Sequence, residues 1–486
     1  MNMYRMITLV LAIGVVSGCG LSDGELPFGG VSEGDACGPC GLGIVEADFS
    51  CDLQGLTDVV SQDASCDTLV FVGDSNDGDG TQAKPYGPSE LSAAMDKAAN
   101  SGAEAVVLLD DVEVIGPLRL VDGVNVVGGL RSDGTFSRAL RPQIVAAADD
   151  GESVTGLVAD SIERPTILRQ VVIRTEGEAR SHYGGRVLGA NNLLFERVRI
   201  EAGAGGEGAP GDNGADGATG ADGEDAGSPR ANDEGDGGRN PTCGLVGGDG
   251  GVGAVRSNGS TTTEAGSGAT SGEGVFGGFP GELGGNGDDG QSGANGLFPE
   301  TAGEVIEGLW KPSASHAGED GEHGESGGGG GGGTASGQDG LGGGGGGGGA
   351  GGCGGLGGRP GEPGGSSIAL LLEGSEVVMT GVELVSKDGG DGGAGGQGGQ
   401  AGRGGAGGLG ANGNPGARGG DGGRGGDGGA GGDGAPGVGG PSFGLVCSNA
   451  TVETDDELSI QVGKGGLSAG GNNLATAAQS TGCDSL

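Results

Sequence analysis

The sequence is poor in aromatic residues and in positive charge. Aromatics make up 3% of its 486 residues, with a single Trp, and 24 Lys plus Arg stand against 67 Asp plus Glu. The formal charge of −43 repels a phosphate backbone, which excludes nucleic acid as a partner. Apolar content is low and segregated. Leu, Ile, Val and Phe amount to about 29% of residues 68–200 and to about 9% of residues 202–365. The first stretch can bury a core and the second cannot. What the chain has in abundance is glycine, 130 residues.

The N-terminus reads as a targeting signal. Met1–Arg5 carries one positive charge, and the apolar stretch Met6–Val16 is too short to span a bilayer. Val16-Ser17-Gly18-Cys19 resembles the lipobox of bacterial lipoproteins. That resemblance implies cleavage before Cys19, acylation of its thiol, and attachment to a membrane through the acyl chains. Gly20 follows, where Asp would resemble an inner-membrane retention signal, so an outer-membrane lipoprotein facing the cell surface or the periplasm is expected. Of the nine cysteines, eight remain, an even number suited to disulfides in an oxidising compartment. Cys37, Cys40, Cys51 and Cys66 cluster early, and the single Cys-x-x-Cys pair fits disulfides better than zinc. Cys243 and Cys353 form one further candidate couple, and Cys447 and Cys483 another.

A unit of about 20 residues recurs: an apolar doublet, a polar bend, then two more short apolar strands. It begins at Gly156, Val187, Ala369 and Leu445, with the third strands at Val171–Ile173, Val198–Ile200, Val382–Leu384 and Leu458–Ile460. One unit cannot bury its own face, whereas stacked units bury a continuous interior, the logic of a parallel β-helix. Ser89–Asn100, with Leu91, Ala94, Met95 and Ala98 on one face, is predicted to be a capping helix N-capped by Ser89.

Glycine-rich tracts begin after third strands: a short one after Glu176, a very long one after Ile200, and another after Val385. They would leave the stack at one corner and project from one face. Residues 202–365 hold 24 acids and 5 bases, a net of −19, while 389–441 is nearly neutral. Within the tracts glycine recurs every third residue, as at Gly205 to Gly223, and from Gly389 to Gly440 with Ala401 the exception. A three-residue step suits the polyproline II conformation. It leaves three alternatives: polyglycine-II strands bundled within one chain, disorder, or a collagen-like intermolecular triple helix.

Phe71-Val-Gly-Asp-Ser-Asn-Asp-Gly-Asp-Gly-Thr81, Lys84-Pro85-Tyr86 and Val124-Asn-Val-Val-Gly-Gly-Leu130 resemble the opening of bacterial pectin-lyase-like β-helix proteins. The layout of lipobox, repeats and Gly-Gly-Ala-Gly-Gly inserts resembles the glycine-rich surface lipoproteins of myxobacteria, and Gly392–Gln397 is similar to the repeat of mycobacterial PE-PGRS proteins. The resemblance implies an all-β fold, a right-handed parallel β-helix with glycine-rich insertions at one corner, on a cell surface. The expected organisation is a signal peptide at 1–18, an acidic Cys-rich spacer at 19–67, and cap plus first rungs at 68–201. An acidic glycine-rich insertion at 202–365, a rung at 366–388, a glycine-triplet insertion at 389–441, and a last rung with its tail at 442–486 follow.

Catalysis has weak support. A polysaccharide lyase needs a calcium cage and a basic residue to take a sugar proton. Arg164, Arg169 and Arg174, with Asp149, Asp150 and Asp160, are candidates without specific spacing, and Asp110-Asp111 only faintly resembles the paired acids of related hydrolases. No catalytic residue is assigned. Asp74, Asn76, Asp77 and Asp79 share one loop as candidate calcium ligands, and His316 and His323 stand among carboxylates that suit a transition metal. The expected function is non-enzymatic: adhesion, matrix contact or surface coating. A carbohydrate-binding or carbohydrate-degrading β-helix is the alternative, with polysaccharide as the partner.

Overall fold

The structure, a computed structural model, describes residues 69–75, 78–132, 136–227, 233–469 and 476–483. Cys19, Cys37, Cys40, Cys51, Cys66, Asn76 and Asp77 lie outside them. The described chain is all-β in character, with many strands, one α-helix and two large parallel sheets.

Three parallel ladders organise the apolar part. The first runs through Leu69–Val72, Ala105–Leu109, Asn125–Leu130, Thr166–Arg169, Leu193–Glu196, Glu376–Thr380 and Thr451–Thr454. Glu113–Ile115, Arg199–Glu201, Glu383–Val385 and Ser459–Gln461 belong to the second; Leu118–Arg119, Ser367–Glu373, Ser442–Ser448 and Ala477–Thr481 belong to the third. Gln143–Asp160 and Val172–Leu188 are long enough to serve in both, and so join the second and third ladders into one sheet.

Alternation places one row of each ladder inward. Val70, Val106, Val126, Leu168, Phe195 and Met379 stack in the first, and Val114, Ile144, Ile173, Ile200, Leu384 and Ile460 in the second. Leu118, Leu157, Leu370 and Leu445 share a row of the third with Gly185. Together these rows make one continuous buried cluster. The third strands anticipated from the sequence are thus in register with one another. At the bend after four of the strands that reach the third ladder sits a left-handed residue: Ser161, Gly189, Gly374 and Asn449, with φ of 54, 62, 58 and 49°. The N–H of each of the first three bonds to the next level, Ser161 to Leu188, Gly189 to Glu373 and Gly374 to Ser448. Small polar residues and glycine occupy these bends because the left-handed conformation penalises a bulky Cβ.

Helix α1, Leu91–Ser101, buries Leu91, Ala94, Met95 and Ala98 against the first strands and ends on left-handed Gly102. Ser89 does not cap it. Pro88 opens a 3₁₀ turn over Pro88–Glu90, and the Glu90 carboxylate accepts the Gly87 N–H at 2.7 Å instead. A second departure concerns the short tract after Glu176, which forms no loop. Residues 176–184 continue Val172–Leu188 and pair with Gln143–Asp160, for instance Gly177 with Ala148 and Ser181 with Ser153. A segment this short satisfies its backbone groups best by lengthening an existing ladder.

Ile200 is fully buried at the centre of its row. Ile200→Ala is expected to cost about 2–5 kcal/mol, read as a lower urea midpoint at unchanged slope.

Candidate functional site

The two long glycine tracts leave the second ladder after Glu201 and Val385, and return to the third at Ser367 and Ser442. Between these points they form a hydrogen-bonded bundle. Gly205, Gly208, Gly211, Gly214, Gly217, Gly220 and Gly223 donate to the carbonyls of Asp388, Asp391, Ala394, Gln397, Gln400, Arg403 and Ala406, three residues at a time on both sides. Segments 347–362 and 209–224 run antiparallel by the same step, as do 318–333 and 343–358. Each residue of a triplet therefore faces its own lateral direction, and the pattern repeats every ~9 Å along a strand.

Two strands lie in the interior. The N–H groups of Gly345, Gly346 and Gly347 go to Gly251, Gly420 and Glu224, and their carbonyls accept from Gly235, Gly330 and Gly408, all at 2.8–3.0 Å. Gly327, Gly328 and Gly329 likewise donate to Gly349, Gly285 and Ala269 and accept from Gly248, Gly423 and Gly278. A partner strand stands in every lateral direction. A Cβ at Gly346, Gly347 or Gly348 would lie 2.0 Å from the carbonyl oxygen of Gly408, Asp236 or Gly327. The homopolymeric runs 327–333 and 342–349 coincide with these interior strands. Flanks with one open direction read Gly-Gly-x, as in 389–411, and outermost strands read Gly-x-x, as in 205–223 and 284–296; the x residues are mostly exposed. Glycine content per triplet thus reports depth in the bundle.

Where a strand runs out, side chains replace it. Asn213, Asp216, Asp222 and Asp225 accept the N–H groups of Gln397, Gln400, Ala406 and Leu409 at 2.6–2.8 Å. Asn286, Asp289 and Asn295 do the same for Arg424, Asp427 and Asp433. Beyond the end of segment 245–256, Ser326 Oγ, His323 Nδ1 and Asp320 Oδ1 take the N–H groups of Gly351, Gly354 and Gly357. His323, a candidate metal ligand in the sequence, is a backbone acceptor here, as is Asp320, and among the described residues no group of three or more His, Cys, Asp or Glu is placed to hold a metal. The role of these Asx residues was not anticipated. Their phase, one residue before a glycine in all but Asp225, is visible in the sequence, whereas the pairing of 213 with 397 is not.

Three devices tie the bundle down. Cys243–Cys353 joins the turn after segment 233–241 to the buried strand, and Cys447–Cys483 secures the last ladder strand, so both late couples pair as expected. The hairpin of Gly303–Ile306 and Leu309–Pro312 lays Trp310 edge-on against Phe443, ring centroids 5.5 Å apart, while Tyr183 Oη accepts the main-chain N–H of Trp310. A buried seam of Ser366, Ser367, Ser386 and Ser442 carries the chain from bundle to ladder. There Lys387 N–H bonds to Ser367 Oγ, and the Ser386 and Ser442 hydroxyls meet at 3.0 Å. His182 sits in this seam, 1% exposed, 3.2 Å from the Thr175 hydroxyl that accepts Gly203 N–H. Burial pushes its pKa down, and Lys387 adds to that.

Several of the remaining candidates are engaged elsewhere. Arg164 pairs with Asp122, Arg169 with Glu196, and Arg174 with Glu113 and Glu176. Asp110 and Asp111 accept the N–H groups of Ser132 and Arg141. Asp74 is exposed, and Asp79 accepts from the N–H and hydroxyl of Thr81, bonds that hold its carboxyl below the usual range. No helix among the described residues is long and apolar enough to cross a membrane. A scan against protein-family models finds no match, and searches of the curated proteins and of the solved structures find none.

Gly347→Ala is expected to lower the unfolding midpoint sharply, by several kcal/mol, whereas Ala394→Ser on an exposed x position stays within about 0.5 kcal/mol. Cys243 and Cys353 are 110 residues apart, so Cys243→Ser with Cys353→Ser should cost about 4–5 kcal/mol in the same assay. His182 favours its neutral form when folded, so the unfolded chain binds the extra proton. Stability is complete above the unfolded pKa of about 6.5 and is lost as pH falls below it. The urea midpoint should drop from pH 7.5 to pH 5.5, and His182→Gln should remove that part of the drop.

Proposed function

We propose that the chain is a non-enzymatic, lipid-anchored protein of the outer cell envelope, in which a parallel β-helix carries a polyglycine-II-type bundle that contacts surface polymers or matrix. Three parallel ladders around one apolar interior are the arrangement a β-helix requires. The observation that carries the functional reading is the order of the bundle. Its backbone groups are taken up within the chain, and what it offers to a partner is rows of exposed x side chains at ~9 Å intervals on a stiff body. Such a body suits contact by many weak, repeated interactions, which gain from multivalency. The Cys19 lipobox supplies the tether, and the excess of acid keeps the surface hydrated and resistant to non-specific association.

Labelling of intact cells with a membrane-impermeant amine reagent tests this, since Lys311, Lys387 and Lys464 lie on or beside the bundle. Modification of these lysines before the outer membrane is ruptured is the expected result, with Cys19→Ser releasing the protein from the membrane fraction. Modification only after rupture would place the bundle in the periplasm and remove the surface-contact role.

A further inference from the structure

The sequence holds five Asn-Gly pairs, at 213–214, 258–259, 286–287, 295–296 and 412–413. Such a pair carries its own chemistry, because a glycine without Cβ lets the backbone bend until its nitrogen reaches the preceding side-chain amide. All five asparagines are exposed, so access to water does not separate them. Hydrogen bonding does. In three pairs a single residue brackets both reacting groups. Asn213 Oδ1 accepts the Gln397 N–H and Gly214 N–H donates to the Gln397 carbonyl, each at 2.8 Å. Arg424 brackets Asn286 and Gly287 in the same way at 2.9 Å, and Asp433 brackets Asn295 and Gly296 at 2.9 and 2.7 Å. The fourth pair turns the hairpin of Val255–Ser257 and Ser260–Thr263. There Gly259 N–H donates to the Gln338 carbonyl at 2.8 Å, and Asn258, at φ 51°, donates its N–H to Asp339 Oδ1 at 2.8 Å. Asn412-Gly413 differs. It lies midway along the tract that leaves the ladders after Val385 and returns at Ser442. The chain is fastened on either side, Ala411 N–H to Gly344 at 2.9 Å and Asn414 N–H to Leu341 at 2.7 Å. Among the described residues, neither the Asn412 amide nor the Gly413 N–H has a hydrogen-bond partner.

We propose that Asn412 is a site of spontaneous covalent modification, deamidation through a cyclic imide, and that the fold's own bonds keep the other four pairs from the same reaction. The Gly413 nitrogen gives its proton to solvent base and forms a bond with Asn412 Cγ. The Cγ–Nδ2 bond breaks, and the amide takes up a proton and leaves as ammonia. One water molecule then opens the ring. Addition at Cγ gives aspartate, and addition at the main-chain carbonyl gives isoaspartate, whose backbone is one methylene longer. No electrons are exchanged, and water is the one co-reactant. Either product places a new carboxylate at the turn. In the bracketed pairs the glycine N–H and the amide oxygen must first leave their partners, so a strand has to open locally before the ring can close. The inference is independent of the surface role proposed above, because it concerns the chemistry of one turn and not what the bundle contacts.

Ageing of the full chain carrying Cys19→Ser, which removes the expected acylation site, provides the test. The protein is held in mildly alkaline buffer, sampled over time and digested with trypsin, and each Asn-Gly pair is followed by peptide mass spectrometry. Folded, the chain should convert Asn412 about tenfold or more faster than Asn213, Asn258, Asn286 or Asn295, since two hydrogen bonds must break at a bracketed pair and none at this one. Unfolded in urea, it should convert all five at similar rates. Asn412→Gln, whose longer side chain disfavours the ring, should remove the fast release of ammonia from the folded chain. The proposal fails if Asn412 in the folded chain converts no faster than the other four. It also fails if the preference for Asn412 is the same in urea, since the local sequence and not the fold would then set it, or if Asn412→Gln leaves the fast ammonia release unchanged.

Discussion

A strand without side chains can bring another backbone to hydrogen-bonding distance on every side, and the bundle rests on that close approach. At Gly347 the space a Cβ would fill is held by a carbonyl oxygen 2.0 Å away. Close approach removes any apolar core from this half of the molecule, so its stability has to come from hydrogen bonds and dispersion between backbones. A buried hydrogen bond contributes about 1 kcal/mol net, while ordering one residue costs about 1–2 kcal/mol, and glycine loses the most freedom. The bonds alone roughly offset the ordering. This explains why the bundle is tied down at several places, by Cys243–Cys353, by the Trp310 hairpin, and by the serine seam at its base.

The two halves of the molecule solve one problem in different ways. In the ladders, N–H and C=O groups pair within a sheet, and side chains alternate between interior and solvent. In the bundle, backbone groups radiate in all lateral directions, and side chains survive only where a direction is empty. The seam must convert one scheme into the other. Its residues are small and polar because each must supply a bond that neither scheme provides there. Ser367 Oγ reaches Lys387 N–H, Ser442 Oγ reaches the Lys387 carbonyl at 2.7 Å, and Thr175 takes Gly203.

The ladders were legible because their signal is local. Val171–Ile173, Val198–Ile200 and Val382–Leu384 declare period two and a common outline, and stacking them in register follows from burying one face. The capping helix was visible for the same reason, although Pro88 moved its start beyond Ser89. The glycine tracts were legible only in their step. Residues 342–349 are all glycine, with no side chain to stiffen them, yet they form a buried strand held from all sides. The missing information is lateral. Nothing in residues 205–223 states that their partners lie 183 positions downstream, because glycine has no side chain with which to specify a neighbour.

What does specify the neighbours is the residue that is not glycine. A bundle of identical strands has many equivalent registers, and slipping one strand by three residues costs no backbone bond. The x positions remove that freedom. Asn213 and Asp216 meet Gln397 and Gln400 only in one register, Ser326, His323 and Asp320 begin their work where segment 245–256 ends, and Cys353 finds Cys243 at a single level. Negative charge in the tracts is therefore in part a record of where strands stop. On this view the acidity of 202–365 has a structural component that composition alone conceals: carboxylates stand at the boundary of the bundle because a boundary leaves N–H groups that need an acceptor.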